Sequence, residues 1–420
     1  MSQAVQIAIT GLGAVTPYGA GTSAFWNGIL EGNSVTTKME DEELARWTPV
    51  AAQVTNVDFE SYLGRKTVKD TDRFTQLALV AAQEALRDAD LIDSSQNVKS
   101  HMVKADDVGI ALGSAFGGVQ SLEAGSAKLA RLNTARVSPR IVSKSIPNAA
   151  AAAIAKEYSF RGPVMTYATA CASAANAIGE SVHWILQGNA EVIVAGGAEC
   201  LFTPSVLAGL RAAGAVATTG PEDVRQWSRP FHRDRKGMVM GEGSALLVLE
   251  TLEHAKARGA KVYGVLSGYG ASNDAYHETS PHPEGAGGLL AMQRALRGAG
   301  LDPADIDYVN AHATATPAGD AAESIALRTL FGDNVGATPV SSIKGAVGHM
   351  LGTAGAIESI ACVKALETGW LPPTINCDIP DELAPPDIVP QARRAPVRHV
   401  MSNSFGFGGQ NGVLIWSQPE

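Results

Sequence analysis

Several side chains of this 420-residue chain could do chemistry, beginning with Cys171. An extended, β-favouring run, Val164 to Thr169, leads into it, and a run of small residues, Ala170 to Ala175, starts there. That reads as strand, sharp turn, then helix. A thiol at the first turn of a helix faces unpaired backbone N–H groups and the positive end of the helix dipole. Both favour thiolate, the nucleophilic form. The alternative is a small buried core cysteine, because a free Cys packs as a small hydrophobe. His312 lies in Asn310-Ala311-His312-Ala313-Thr314, and His349 closes Lys344-Gly345-Ala346-Val347-Gly348-His349. Both stand among small residues, where a substrate can approach closely. A single histidine is more often a hydrogen-bonded structural residue, but here two stand in small-residue segments, and Lys344 is a cation able to tune His349. Lys344 read alone is a surface lysine, yet it follows a serine-rich strand pattern. Gly406-Phe407-Gly408-Gly409 is a flexible loop whose N–H groups could face an oxyanion, or else an ordinary glycine-rich turn.

These groups need elements to hold them. Strand and helix patterns alternate along the chain, which argues α/β with mostly parallel strands. Phe74, Leu77, Ala78, Ala81, Ala82, Ala85 and Leu86 keep helical spacing behind Asp72, a candidate N-cap. Ala174, Ala175, Ile178, Val182, Ile185 and Leu186 continue a helix after Cys171 that Gly188 can end. Residues 191–195 read as a buried strand. Strand patterns at 307–311, 339–343 and 397–401 run into His312, Lys344 and Asn403 to Gly409, respectively. Ligands of α/β sheets sit at the C-terminal ends of strands, which is where these segments fall. A charged stretch at 253–259 before a new strand at 262–265 marks a seam between two halves.

Composition narrows the class. Hydrophobic residues make up 45% and charged residues 18%, which fits a soluble globular protein with a large core. A net charge of −9 argues against nucleic acid as the main partner. Cys171, Cys200, Cys362 and Cys377 form no CxxC pair, so neither a disulfide framework nor a structural metal site is expected, and a reducing, cytoplasmic compartment fits better. Residues 4–10 read as a strand without a basic flank, not as a signal peptide. The uncharged stretch 162–179 is too polar to span a membrane.

Taken together, Thr169-Ala170-Cys171-Ala172-Ser173, Asn310-Ala311-His312-Ala313-Thr314, Lys344 with Gly348-His349, and Asn403 to Gly409 resemble the β-ketoacyl-acyl-carrier-protein synthases of the elongating, Cys-His-His type. Ser228-Arg229-Pro230-Phe231, Gly241-Glu242-Gly243 and Pro372 to Asn376 extend the likeness over nearly the whole chain. The resemblance implies a thiolase fold, an α/β architecture of five layers, αβαβα, with two pseudo-symmetric halves. Residues 1–255 would carry the nucleophile and residues 256–420 the two histidines and the lysine. It implies decarboxylative condensation of malonyl-carrier protein with an acyl chain held on Cys171, extending the chain by two carbons. The N–H groups of Cys171 and Phe407 would form the oxyanion hole, with Phe407 also a gate. His312 and His349 would stabilise the enolate, and Lys344 would orient His349. Thr314 and Thr316 would hold the phosphopantetheine arm of the carrier protein, Phe116 would line the acyl pocket, and Asp320 and Glu323 would support the His312 loop. No bound cofactor or metal is expected. A homodimer is the expected assembly, with a heterodimer containing a chain-length factor as the alternative.

Carrier protein is acidic, so docking needs local positive charge. Arg65, Lys66, Lys69 and Arg73 offer one patch and Arg211 another; the alternative is a solvated helix face. Ala313, Gly345-Ala346-Val347 and Gln410 depart from the usual fatty-acid pattern, and the Ser342 to His349 stretch looks closer to type II polyketide ketosynthase subunits. Fatty acid biosynthesis is the first reading and a polyketide pathway the second. Other readings are weaker. Gly11-Leu12-Gly13 follows a strand as a dinucleotide fingerprint would, but Thr16 stands where a third glycine belongs, so a tight strand-to-helix turn explains it better. A non-catalytic subunit is disfavoured because the cysteine, both histidines and the lysine are all present. A thiolase or cysteine hydrolase fits the two-histidine pattern less well.

Overall fold

The computed structural model describes residues 5–132 and 137–419. Its main sheet is built from β1 (Ile7–Thr16), β2 (Val108–Gly113), β3 (Val164–Tyr167), β4 (Val192–Glu199), β5 (Gly243–Thr251), β6 (Gly264–Asn273), β7 (Tyr308–Asn310), β8 (Val340–Ser341), β9 (His399–Phe405) and β10 (Gln410–Ser417). Side by side they run β8-β7-β9-β10-β6-β1-β5-β4-β2-β3. The first five strands and the last five repeat one order: first, fifth, fourth, second, third. Antiparallel pairing of Ile7–Ile9 with Gly264–Leu266 joins the two sets.

The expectation of mostly parallel strands is corrected. Only the outermost pairings are parallel, two at each edge. The five central pairings are antiparallel. Connection length gives one reason: β9 reaches β10 through Gly406–Gly409 alone, too short for the crossover that parallel strands need.

Seven helices matter for the site: α1 (Phe59–Asp70), α2 (Arg73–Asp88), α3 (Ala149–Tyr158), α4 (Ser173–Leu186), α5 (Ala286–Ala299), α6 (Pro317–Phe331) and α7 (Ala354–Thr368). α2 and α3 cover the outer face of the first five strands, and α5, backed by α6, covers that of the last five. α4 and α7 pack on each other and reach both sets of strands, so they form the middle layer. The result is the five-layered thiolase fold. The predicted helix at 74–86 is the buried face of α2, and Asp72 caps it by accepting from Phe74 N at 3.3 Å.

Gly11 and Gly13 have neither of the roles considered for them. Both lie inside β1, where a Cβ would sit 2.3 Å from the Ala85 carbonyl oxygen and 2.0 Å from that of Ala81. They are bare so that α2 can lie directly on the strand, which leaves no dinucleotide turn.

Candidate active site

Cys171 sits in the single turn Ala170–Ala172 between β3 and α4 and is buried. Ala170 takes φ 49°, a conformation that strains an alanine. Side chains hold the turn in place. Ser173 Oγ donates to Ala170 O at 2.6 Å and accepts from Thr169 N at 2.9 Å, while Asn176 Nδ2 donates to Thr169 Oγ1 at 2.9 Å. The strain therefore aims the thiol into a cavity of about 260 Å³ lined also by His312, Thr314, Thr316 and Phe407.

The two histidines reach the thiol from the second set of strands. His312 follows β7, and His349 follows the turn Lys344–Val347 beyond β8. His349 Nε2 lies 3.0 Å from Cys171 Sγ. The imidazoles meet edge to face, with centroids 5.3 Å apart and an interplanar angle of 84°. Gly348, at φ 69°, turns the chain so that His349 N can donate to Val239 O at 2.8 Å.

A ring of carboxylates fixes these loops. Glu323 accepts from His312 N at 2.8 Å and Ala313 N at 2.7 Å, and Asn403 Nδ2 holds Glu323 at 3.0 Å. Asp320 accepts from Ala315 N at 3.1 Å and Phe231 N at 2.8 Å, with Arg235 beside it. Thr314 Oγ1 and Thr316 Oγ1 stand 3.1 Å apart at the cavity wall. Lys344 is buried and ion-paired with Glu358 of α7. Sequence reasoning missed Glu358. Its signal was a charge inside the otherwise apolar and small-residue run Ala354 to Val363.

Burial dominates the protonation of the site. It pushes the Cys171 thiol up to about 12, against the opposing pull of Lys344 and of the Phe407 N–H that points at the sulfur. The pull toward thiolate expected at a helix start is outweighed by desolvation, and the resting group is a neutral thiol. Burial, then Lys344, pushes both imidazoles well below the ordinary histidine value, with His349 adding to the effect on His312. Both are neutral at neutral pH. Burial pushes Glu358 up to about 7 even though Lys344 pulls it down.

The loop over the thiol is pinned from outside. Gly408 N donates to Glu278 O at 2.7 Å, Asn273 Nδ2 to Gly408 O at 2.8 Å, and Asp274 N to Gly409 O at 2.8 Å. Gly406 has no room for a side chain: a Cβ would lie 2.7 Å from Thr169 O and 3.3 Å from Cys171 N. This close approach lays the Gly406–Gly409 loop directly against the Cys171 turn, with the Phe407 N–H on the sulfur.

Comparison with known proteins identifies the family. The sequence profile of the β-ketoacyl synthase N-terminal domain matches residues 4–255, and that of the C-terminal domain matches residues 263–378. The chain belongs to the β-ketoacyl synthase family. It is 39% identical over 424 residues, covering all of both chains, to 3-oxoacyl-[acyl-carrier-protein] synthase 2 of Staphylococcus aureus strain MRSA252. Among solved structures, a type II polyketide ketosynthase in complex with its acyl-carrier protein superposes with TM-score 0.90 at 29% identity, covering all of both chains. The ishigamide ketosynthase/chain length factor gives 0.88 at 30% identity, covering 99% of this chain and 100% of the other. Family membership makes this chain a condensing acyltransferase.

The remaining predicted residues of this family member lie outside the cavity. Arg65, Lys66 and Lys69 are exposed on α1. Arg211 is also exposed, and its guanidinium donates to the Arg46 carbonyl. Arg73 must leave the docking patch. It is ion-paired with the buried Glu242 at 2.9 Å and lies over the Phe59 ring, because that carboxylate needs a partner inside the protein. Phe116 does not line the cavity; the residue is 43% exposed, and its N–H faces buried Glu199 at 3.4 Å. Glu199 is a second buried carboxylate that the sequence reading missed.

Proposed function

We propose that this protein is a 3-oxoacyl-[acyl-carrier-protein] synthase working in fatty acid biosynthesis. The observation that carries the reading is Cys171 Sγ at 3.0 Å from the neutral imidazole of His349, with His312 beside both. In the first half-reaction Sγ attacks the acyl thioester of the carrier's phosphopantetheine as His349 takes the thiol proton. The N–H groups of Cys171 and Phe407 receive the developing oxyanion. The carrier thiolate leaves and takes up a proton from solvent, His349 keeps the thiol proton on Nε2 and releases the one on Nδ1, and the acyl group stays on Cys171. In the second, malonyl-carrier protein enters along Thr314 and Thr316. Its carboxylate leaves as CO₂, and His312 and His349 donate hydrogen bonds to the thioester oxygen of the resulting enolate. The enolate carbon attacks the acyl-Cys171 carbonyl, the C–S bond breaks, and the thiol is restored by proton uptake. Neutral imidazoles suit this step because they can stabilise the enolate without protonating its carbon. Lys344, held by Glu358, keeps His349 neutral and in place. Asp320 and Glu323 are positioning residues for the His312 loop.

Residues 1–255 and 256–420 form the two halves. A homodimer is supported by the edge strand β3, where Val164 and Met165 are exposed and Met165 is 52% open to solvent. The opposite edge, β8, is buried and bridged to Ile388. Arg65, Lys66, Lys69 and Arg211 supply the positive surface for an acidic carrier protein. Among the described residues no helix is long and apolar enough to cross a membrane. We place the enzyme in the cytoplasm, with no bound cofactor, no membrane and no nucleic acid among its partners. The second reading, the catalytic subunit of a type II polyketide synthase paired with a chain-length factor, draws on Gly345-Ala346-Val347 and on the structural likeness to such ketosynthases.

The test is intact-mass acylation of the purified protein by a panel of acyl-carrier proteins, followed by malonyl-carrier protein. Acyl transfer to Cys171, absent in Cys171→Ala, and a product two carbons longer are expected. Acylation without elongation by the lone chain would favour the heterodimeric polyketide reading. No acylation from any donor would overturn the nucleophile assignment.

A further inference from the structure

Cys171, His312 and His349 each offer a ligand atom, all three residues are buried, and these atoms lie within 4.8 Å of one another. One sulfur and two imidazole nitrogens form a borderline-soft donor set. Zinc binds such atoms tetrahedrally at about 2.3 Å for sulfur and about 2.0–2.1 Å for nitrogen, which sets S and N about 3.6 Å apart on one ion. Sγ and Nε2 of His349, now 3.0 Å apart, would spread by about half an ångström to meet this geometry. The His312 ligand atom, already within 4.8 Å of the other two, would settle at the same spacing. The fourth position would open onto the cavity that Cys171 and His312 already line.

We propose that these three residues form a reversible zinc(II) site that switches the enzyme off, occupied only while Cys171 carries no acyl group. The binding itself needs only the geometry; that it blocks catalysis rests on the condensing reading above. The chemistry balances simply. The Cys171 S–H bond breaks, a Zn–S bond forms, one proton leaves to solvent, and nothing is oxidised or reduced. An acyl thioester has no thiolate to give, so acylation and metal binding exclude each other.

Two features make the site exchangeable rather than a resident zinc centre. Nδ1 of His312 and Nδ1 of His349 have no hydrogen-bond partner among the described residues, whereas tightly held zinc has its histidines backed by carboxylates or carbonyls. The Lys344 ammonium also repels a cation, although Glu358 and Glu323 offset that charge.

Cobalt(II) is the spectroscopic probe. Titrated into the whole protein, it should give a one-equivalent thiolate-to-cobalt charge-transfer band that zinc displaces. The band should vanish in Cys171→Ala and need about a hundredfold more cobalt in His312→Ala. Independently of any variant, zinc at ten times its Kd should slow iodoacetamide alkylation of Cys171 about tenfold, and EDTA should restore the rate. Peptide mapping separates Cys171 from the more accessible Cys377. A missing band, a band that survives Cys171→Ala, or alkylation at an unchanged rate would each overturn the proposal. A band in a protein that no carrier acylates would keep the metal site and sink the condensing reading instead.

Discussion

The turn before α4 and the turn before α7 have the same backbone design and opposite fates. Each is a single tight turn, Ala170–Ala172 and Leu351–Thr353. Each opens on a non-glycine residue forced to positive φ, 49° at Ala170 and 38° at Leu351. Each feeds a long helix of the middle layer. The second residue of the first turn is Cys171, over which the Gly406–Gly409 loop arrives with the Phe407 N–H directed at the sulfur. The second residue of the other turn is Gly352, whose N–H is already taken by the Glu199 carboxylate. The fold thus presents two equivalent backbone cradles. One holds a cysteine that faces the cavity and the other is plugged from inside, so a strained turn alone does not make an open site.

The helices differ in the same way. Counting equally from each turn, Glu358 on α7 corresponds to Ala177 on α4. Glu358→Ala should have the largest effect, because it leaves the Lys344 ammonium buried without a partner. A loss of about 3–5 kcal/mol in denaturant unfolding is expected, with condensation falling further than acylation as His349 loses its support. If stability and both half-reactions were unchanged, Lys344 would have another anion, and the contrast between the two helices would lose its meaning. Gly352→Ala comes next. Its Cβ would sit 2.4 Å from Glu199 Oε2 and 2.6 Å from Ala115 N, so one of them must move. A loss of about 2–3 kcal/mol is expected. A variant as stable as the parent would show that the plug yields easily and that the second cradle is not closed by packing.

Much of this was legible in the sequence, for identifiable reasons. Cys171, His312 and His349 announced themselves because glycines and small residues surround them, and such residues mark where backbone must come close. The helix at 74–86 was legible from its period and its Asp72 cap. Strand direction was not, because a strand's burial pattern is the same whether its neighbour runs parallel or antiparallel. Arg73 read as surface charge because its partner Glu242 is distant in sequence. Glu199 and Glu358 escaped because a buried carboxylate looks like any other until its partners are placed: backbone amides for one, a lysine from another loop for the other. The thiol's protonation was misjudged for a related reason. A helix start is visible in sequence, whereas the depth of burial that overrides it is a property of the assembled layers.

Glu199→Gln probes the plug most gently. The carboxylate is buried with no cation paired to it among the described residues, held by Ser114 Oγ and the N–H groups of Ala115, Phe116 and Gly352, and burial pushes it up to about 7 from an ordinary 4.5. Between those values the folded protein keeps a proton that the unfolded chain has released. Stability must therefore fall as pH rises from 4.5 to 7, by up to about 1.4 kcal/mol per pH unit for this one group. Asp320 and Glu358, also raised to about 7, add slope of the same sign. The depressed His312 and His349 act oppositely below about 6.5, where the unfolded chain gains protons that they refuse. Glutamine cannot titrate, so the variant should lose only the Glu199 share. Melting temperatures measured from pH 5 to 7.5 should fall less steeply with rising pH for the variant than for the parent. Near pH 7 the variant should be about 1 kcal/mol less stable, because an NH₂ group replaces an acceptor that faces backbone donors. The same substitution loosens the amides that seat Phe116, so product length should broaden if that ring bounds the acyl chain in the assembled enzyme. Parallel melting curves would mean that Glu199 is ionised throughout and sits in the second cradle as a bound anion. The two turns would then differ only in which anion they were built to hold: a permanent carboxylate in one, a transient oxyanion in the other.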